Sequence, residues 1–470
     1  MPASLRAEPS CRAGERVVAD GVVSPLQGLN GFWNDLRSVY YGSVQLTGPA
    51  PAAILVREQI SLMTPPPRSQ PAQEPVIPSN FWPLDPGVTF LNHGSFGSCP
   101  RPVLEFQRGL RDRLESQPVR FLVRELEPLL DDARAALARF VGAHPDNLVF
   151  VPNATSGVNT VLRSLRCQPG DEWLVTNHAY TACRNAVNFA AEHAGARVVV
   201  VQIPFPISDT AIVMARVQQQ TTSRTRLVLL DHVTSQTGLI LPLEPLVAEL
   251  AQRGIDTLVD GAHAPGMVPL NLDALGAAYY TGNCHKWICA PKGAGFLHVR
   301  PDRQRAVRPL SISHGANSPR ADRSRFQIEF GWTGTVDPTA YLSVPEALRV
   351  TGSLLPGGWP ELMECNRLLA LAARRLLAGA LDIPLPCPDE MIGALASLPM
   401  PDAPGTPPNC PLYLDPLQDR LLAGYGIEVP LIPWPAWPKR LLRVSAQFYN
   451  SLPQYEQLAR ALAVELPRRT

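Results

Sequence analysis

The 470-residue chain has room for two to three domains and a large core. Hydrophobic residues make up 45% and charged residues 18%, the balance of a soluble globular protein, and a formal net charge of +1 gives no basis for a nucleic-acid or membrane partner. Nine histidines without ligand spacing argue against a metal site, and nine scattered cysteines without a CxxC pair read as reduced thiols of a cytoplasmic protein.

In chain order, residues 1–75 differ from the rest. Periodicity is weak there, and the segment ends in MTPPPRSQPAQEP, where Pro65 to Pro67, Pro71 and Pro75 favour an extended linker. Met63 opens that linker, so the first 62 residues read as an upstream mis-translation or a dispensable arm. A small module using Trp33, Tyr40 and Tyr41 is the alternative. No apolar run is long enough to span a bilayer, and the start lacks the basic-then-apolar layout of a signal peptide.

Folded sequence is expected from about Asn80, with a large α/β domain over 76–345. Val88 to Leu91 reads as a short strand before a turn containing Gly94 and Gly97. Leu104 to Leu114 and Phe121 to Phe140 read as helices, the second from Leu126, Leu129, Leu130, Ala133 and Leu137 at 3–4 spacing. Leu148 to Val151 is a strand that leads into PNATSGVN and a helix with Val158, Val161, Leu162 and Leu165 on one face. A strand, a turn of small residues and a helix place free backbone N–H groups and the positive helix end where a phosphate can sit. Thr155 and Ser156 add hydroxyl donors, although many strand–helix turns share this look.

Strands follow at Trp173 to Thr176, Val198 to Val201, Leu227 to Leu230 and Ile255 to Val259, with a helix over Thr210 to Gln220. Such alternation predicts a mainly parallel sheet covered on both faces. His178 and Tyr180, after the first of these strands, are rings that could stack on a cofactor, against the commoner reading of a satisfied loop histidine. The Ile255 strand delivers Asp260, followed by His263. Ala277 to Tyr280 reads as a buried strand that breaks at Gly282, and Phe296 to Val299 as another. Between them a Gly-bounded loop carries His285 and Lys286. Asp260 and Lys286 are 26 residues apart, about one strand–helix–strand unit, which puts a carboxylate and an amine at one sheet edge. That pair suits pyridoxal phosphate: the lysine forms a Schiff base with the aldehyde, and the carboxylate keeps the pyridine nitrogen protonated. A solvated loop lysine and a capping aspartate are the alternative that these two residues alone leave open.

From Phe330 the chain reads as a polar loop with Asp337-Pro338 starting a helix. Glu361 to Leu381 is a long helix. Prolines then punctuate short apolar segments until a strand at Arg440 to Ser445 and a helix from about Pro453, so 346–470 reads as a smaller C-terminal α+β domain.

Taken together, NATSGVN, DGAHAPG, NCHKWICAPKGAGFL and WTGTVDPTAYLSVPEAL resemble the class V aminotransferase family of fold-type I pyridoxal-phosphate enzymes, and within it the isopenicillin N epimerase-like proteins. The resemblance runs from about Asn80 to the C-terminus. It implies a seven-stranded-type, mainly parallel sheet sandwiched by helices, a cofactor of pyridoxal 5′-phosphate and a small amino-acid substrate. It implies Lys286 as the Schiff-base lysine, Asp260 on the pyridine nitrogen and His263 near the phenolic oxygen. His178 or Tyr180 would cover the ring, and Thr155, Ser156 and His285 would hold the phosphate. The loop with Thr333 and Thr335 would reach the phosphate across a homodimer interface. Arg443 would clamp the substrate carboxylate, which a guanidinium binds two-pronged, with Asn92, His93 and Arg120 nearby. The reaction implied is epimerisation at Cα, with β-elimination and transamination as alternatives and a non-catalytic cofactor-binding protein as the remaining one. Desulfurases of this family need a thiol roughly fifteen residues before the arginine; here Gly426 to Pro430 has none, which disfavours sulfur transfer to the protein.

Overall fold

Alternating buried strands and amphipathic helices force a layered architecture, since each strand must hide both faces. The computed structural model describes residues 80–407, 409 and 415–466. The expected N-terminal arm, its proline linker and Cys410 lie outside the described residues.

The strands are β1 (Thr89–Phe90), β2 (Leu148–Val151), β3 (Glu172–Thr176), β4 (Arg197–Val201), β5 (Thr225–Asp231), β6 (Asp256–Gly261), β7 (Tyr279–Asn283), β8 (Gly295–Val299), β9 (Leu395–Met400), β10 (Ile427–Glu428), β11 (Leu431–Pro433) and β12 (Arg440–Ser445). Seven of them form the main sheet in the order β2-β8-β7-β6-β5-β3-β4. All neighbours in it are parallel except at β8, which runs antiparallel to both β2 and β7. The expected mainly parallel α/β sheet is therefore present. A tight core of Val158, Val161, Val175, Leu229, Leu258 and Leu297 lies against it, filled from the helices Ala154–Ser164 and Thr181–Ala194. The second of those helices and the helix Leu243–Gln252 carry the alternation where no single helix was anticipated.

A second, antiparallel sheet (β11-β12-β9) packs on the long helix Gly358–Leu381, against which the last helix Leu452–Glu465 also packs. Three local expectations change. The helix expected from Phe121 opens with a wide π-turn, Arg120–Glu125, before the regular helix Leu126–Val141. The strand expected to break at Gly282 runs on to Asn283, because Gly282 lies flush against the Phe296 ring, 2.6 Å from where a Cβ would sit. The strand near Val88 is only two residues and does not join the main sheet: Thr89 pairs with Ile427 and Phe90 with Glu428, far along the chain.

Candidate active site

Strands β5 and β6 end side by side, with Asp231 in register with Asp260. Both aspartates are 2% exposed. Asp260 Oδ1 accepts from the Ala262 amide at 3.0 Å and Oδ2 from the Cys183 thiol at 3.0 Å. Burial and then the Asp260 charge push the Asp231 carboxyl well above its usual range, as expected where two buried carboxylates share a site. Burial, followed by Asp260, raises the Cys183 thiol too. Both oxygens of Asp260 thus have a donor, whereas Asp231 Oδ2 is buried without a partner among the described residues.

One strand over, the loop between β7 and β8 brings Lys286 to the same edge. Lys286 is half-buried. Burial first, then the Arg443 charge, lower its amine to about 7, with Asp260 opposing. Nζ sits 3.0 Å from His263 Nε2. The Trp287 indole donates to His263 Nδ1 at 3.5 Å. Underneath, His93 Nε2 meets the Lys286 carbonyl at 3.0 Å and His93 Nδ1 meets the Tyr449 hydroxyl at 2.8 Å. Burial takes His93 down to about 3. His93 is thus a fully buried prop of the lysine loop, not a pocket wall. Gly97 completes the prop at φ +70°, where an added Cβ would lie 2.1 Å from the His285 carbonyl oxygen.

The helix Ala154–Ser164 starts where the sequence places it. Asn153 caps it through the Ser156 amide at 2.9 Å, and the Ala154 amide is held by Asn283 Oδ1 at 2.9 Å. Asn283 thereby ties the helix start to the strand that leads into Lys286. Thr155 and Ser156 are half-buried on that first turn. Gly157 allows the helix to lie on β7, since a Cβ would come within 2.1 Å of Thr281 Oγ1. His285 Nδ1 lies 3.3 Å from the Ala294 carbonyl, and burial lowers its imidazole to about 4. Ser156 and Thr333 line one cavity of about 410 Å³ together with Leu126, Phe330 and Trp332. That cavity contains neither Lys286 nor Asp260, so its size does not make it the chemical centre. Thr335 is exposed beside it.

Arg443, on β12, is 3% exposed and meets no carboxylate among the described residues. Nη1 donates to the Ser235 carbonyl at 2.6 Å and Nη2 to Ser95 Oγ at 2.8 Å, while Nε is buried without a partner. Burial lowers the guanidinium to about 10. A buried cation without an anion is costly unless a ligand completes it. The Nε edge is what remains for one.

The structure separates the two ring candidates. His178 is fully buried, with Nδ1 on Thr237 Oγ1 at 2.7 Å and Nε2 on the Ile203 carbonyl at 3.0 Å, and it packs on Trp434. Tyr180 is 43% exposed and senses the charges of Asp260 and Arg443. Asn92 is buried and reaches Ser95 and Glu428. Arg120 is not brought to this group: it lies exposed on the π-turn, paired with Glu125 at 2.7 Å. Sequence reasoning missed Cys183, Asp231, Asn283, Ser95 and Ser235. Asp231 alone left a signal, as a carboxylate ending a buried strand.

With this geometry established, likeness to known proteins becomes informative. The family profile for Aminotransferase class-V matches residues 116–348. The isopenicillin N epimerase of Amycolatopsis lactamdurans is 37% identical over 393 residues, 81% of this chain and 95% of that protein. An L-cysteine desulfhydrase of Arabidopsis thaliana is 28% identical over 421 residues, 82% of this chain and 89% of that protein. Among solved structures, the cystine C–S lyase C-DES in complex with its product cysteine persulfide superposes with a TM-score of 0.65 at 23% identity, over 80% of this chain and 97% of that one. A fold-type I architecture, an amine and a carboxylate meeting at its sheet edge, and an epimerase matched nearly end to end identify this chain as a member of the class V aminotransferase family.

Proposed function

We propose that this protein is a pyridoxal 5′-phosphate-dependent enzyme that acts at Cα of an amino acid or amino-acid-containing substrate, as an epimerase of the isopenicillin N type. Lys286 carries the reading: its amine is lowered to about 7 and held 3.0 Å from His263, between an aspartate and an unpaired arginine.

The donor set fits the cofactor. Among the described residues, the Asp260 side chain is met by a thiol and an amide, Cys183 Sγ and the Ala262 N–H. The start of the helix Ala154–Ser164 offers a positive dipole end and two hydroxyls for a phosphate. Bound there, the cofactor supplies an aldehyde that captures amines and a ring that withdraws electrons from Cα.

The chain's own residues divide the remaining work. Asp260 holds the pyridine nitrogen and His263 lies by the phenolic oxygen. Tyr180, which is 43% exposed, covers the ring in preference to His178, which is fully buried and packed on Trp434. Thr155, Ser156 and His285 hold the phosphate, joined by Thr333 and Thr335 of a second copy of this chain. Exposed apolar Phe96, Val119, Val123 and Ile312 support the homodimer. Reduced cysteines such as Cys99, Cys183 and Cys284 support a cytoplasmic setting. Arg443 grips the substrate carboxylate and so fixes the direction of the Cα–H bond. Lys286 Nζ, with its amine lowered to about 7, removes the Cα proton.

The likeness to a cysteine desulfhydrase favours β-elimination as the second reading, with transamination third. A non-catalytic role leaves the lowered amine of Lys286 without a use. The holoenzyme should be screened with amino acids in deuterium oxide. An epimerase incorporates deuterium at Cα of recovered, inverted amino acid, whereas a lyase releases ammonia and a keto acid. No deuterium, ammonia or keto acid from any substrate would overturn the proposal.

A further inference from the structure

Among the described residues the Arg443 guanidinium has no adjacent anion, but a directed chain of hydrogen bonds leads from it to one. Arg443 Nη2 donates to Ser95 Oγ at 2.8 Å, Ser95 Oγ donates to Asn92 Oδ1 at 2.6 Å, and Asn92 Nδ2 donates to Glu428 Oε1 at 3.1 Å. The far end sets the direction. A carboxylate only accepts, so it draws the amide nitrogen of Asn92 and turns the amide oxygen towards Ser95. The Ser95 proton then points to Asn92, which leaves a serine lone pair facing Arg443. Glu428 is itself locked, because Gln418 also donates to Oε1 at 3.3 Å, and the Leu431 amide holds Gln418 Oε1 at 3.2 Å. Its backbone is fixed by the β1–β10 pairing and by the Leu91 amide on the Glu428 carbonyl at 2.9 Å.

We propose that Glu428 is a positioning residue for carboxylate recognition, acting on Arg443 through Asn92 and Ser95. With Nη1 on the Ser235 carbonyl and one Nη2 hydrogen on Ser95, the guanidinium plane is held at two points. Nε–H, buried without a partner among the described residues, and the second Nη2 hydrogen then remain for a ligand, the two-pronged geometry that suits an α-carboxylate. The inference rests on the reading of Arg443 as the carboxylate anchor.

The test compares glycine with methylamine, which differ by one carboxylate and both present an amine to the holoenzyme. Apparent affinities follow from the change in the visible spectrum. Glycine should bind more tightly than methylamine to the parent protein. Ser95→Ala and Glu428→Gln should each cut that preference roughly tenfold, the scale of one hydrogen bond to a charged group, and leave methylamine affinity and cofactor content unchanged. Ser95→Thr, which keeps the hydroxyl, should restore the preference. No preference in the parent would remove the role of Arg443 itself. A parental preference that survives both Ser95→Ala and Glu428→Gln would overturn the relay alone. Loss of methylamine binding or of cofactor in parallel would also overturn it, because Glu428 would then be supporting the fold and not the carboxylate grip.

Discussion

Lys286 Nζ and His263 Nε2 stand 3.0 Å apart with Trp287 on the far nitrogen of the imidazole. An indole N–H can only donate, so neutral His263 accepts at Nδ1 and carries its proton on Nε2. It then donates to the lone pair of a neutral lysine amine. Burial, followed by the Lys286 charge, pushes the imidazole well below its usual value, which keeps it in this form. The arrangement holds the amine as a nucleophile, and it has consequences that can be measured.

Lys286→Ala should abolish turnover and the covalent attachment of cofactor that borohydride makes permanent. Peptide mass spectrometry of the reduced parent should find the cofactor on Lys286. Finding it on another lysine of the reduced parent would sink the assignment.

The pH dependence follows from the lowered amine. Only the neutral amine reacts with an aldehyde, so the rate at which apoprotein captures pyridoxal phosphate should climb through about pH 7 and then level off. The sign is that of a base: capture is lost as the pH falls below that value. An ordinary lysine would keep gaining neutral amine up to its usual 10.5. Stopped-flow capture across pH 5.5 to 9 would distinguish the two as a plateau or a continuing rise, that range being about 1.5 to 2 pH units either side of the expected midpoint.

Arg443→Lys keeps a charge and loses the two-pronged edge. Substrate KM should rise by about tenfold or more. kcat should fall as well, because a loosely held carboxylate no longer aligns Cα–H. The resting visible spectrum should not change, since Arg443 serves substrate and not cofactor. Steady-state kinetics together with that spectrum check both halves.

Gly97→Ala should destabilise the fold by more than about 2 kcal/mol, because the left-handed backbone and the His285 carbonyl 2.1 Å away both oppose a Cβ. The damage should appear as a lower Tm and weaker cofactor retention, since the loop displaced is the one that carries Lys286. Gly109→Ala is the control: nothing lies within 4 Å of its Cβ, so in the helix Arg101–Ser116 it should stabilise by about 0.5–1 kcal/mol. Thermal denaturation of the two variants should move in opposite directions.

By itself the amino-acid order determined what hydrophobic periodicity and chain adjacency encode. Leu148 to Val151 followed by ATSGVN reads as a buried strand entering a helix through a close turn, and the structure has that strand and helix. Asp260 and Lys286, one strand–helix–strand unit apart, fit the same edge of a parallel sheet, and the neighbouring strands β6 and β7 place them there. These are local or nearest-neighbour relations, and period and spacing record them. The tertiary structure decided the relations between residues hundreds of positions apart. Phe90 pairs with Glu428, Ser95 with Arg443 and His93 with the Lys286 carbonyl only because the folded layers bring them together. His178 and Tyr180 look equivalent in sequence, yet Thr237 and the Ile203 carbonyl occupy one and leave the other at the surface of the cleft. Whether Arg443 is a solvated strand residue or a buried cation awaiting an anion depends on everything packed around it. Burial of charge is a property of the whole fold, and no pattern along the chain carries it.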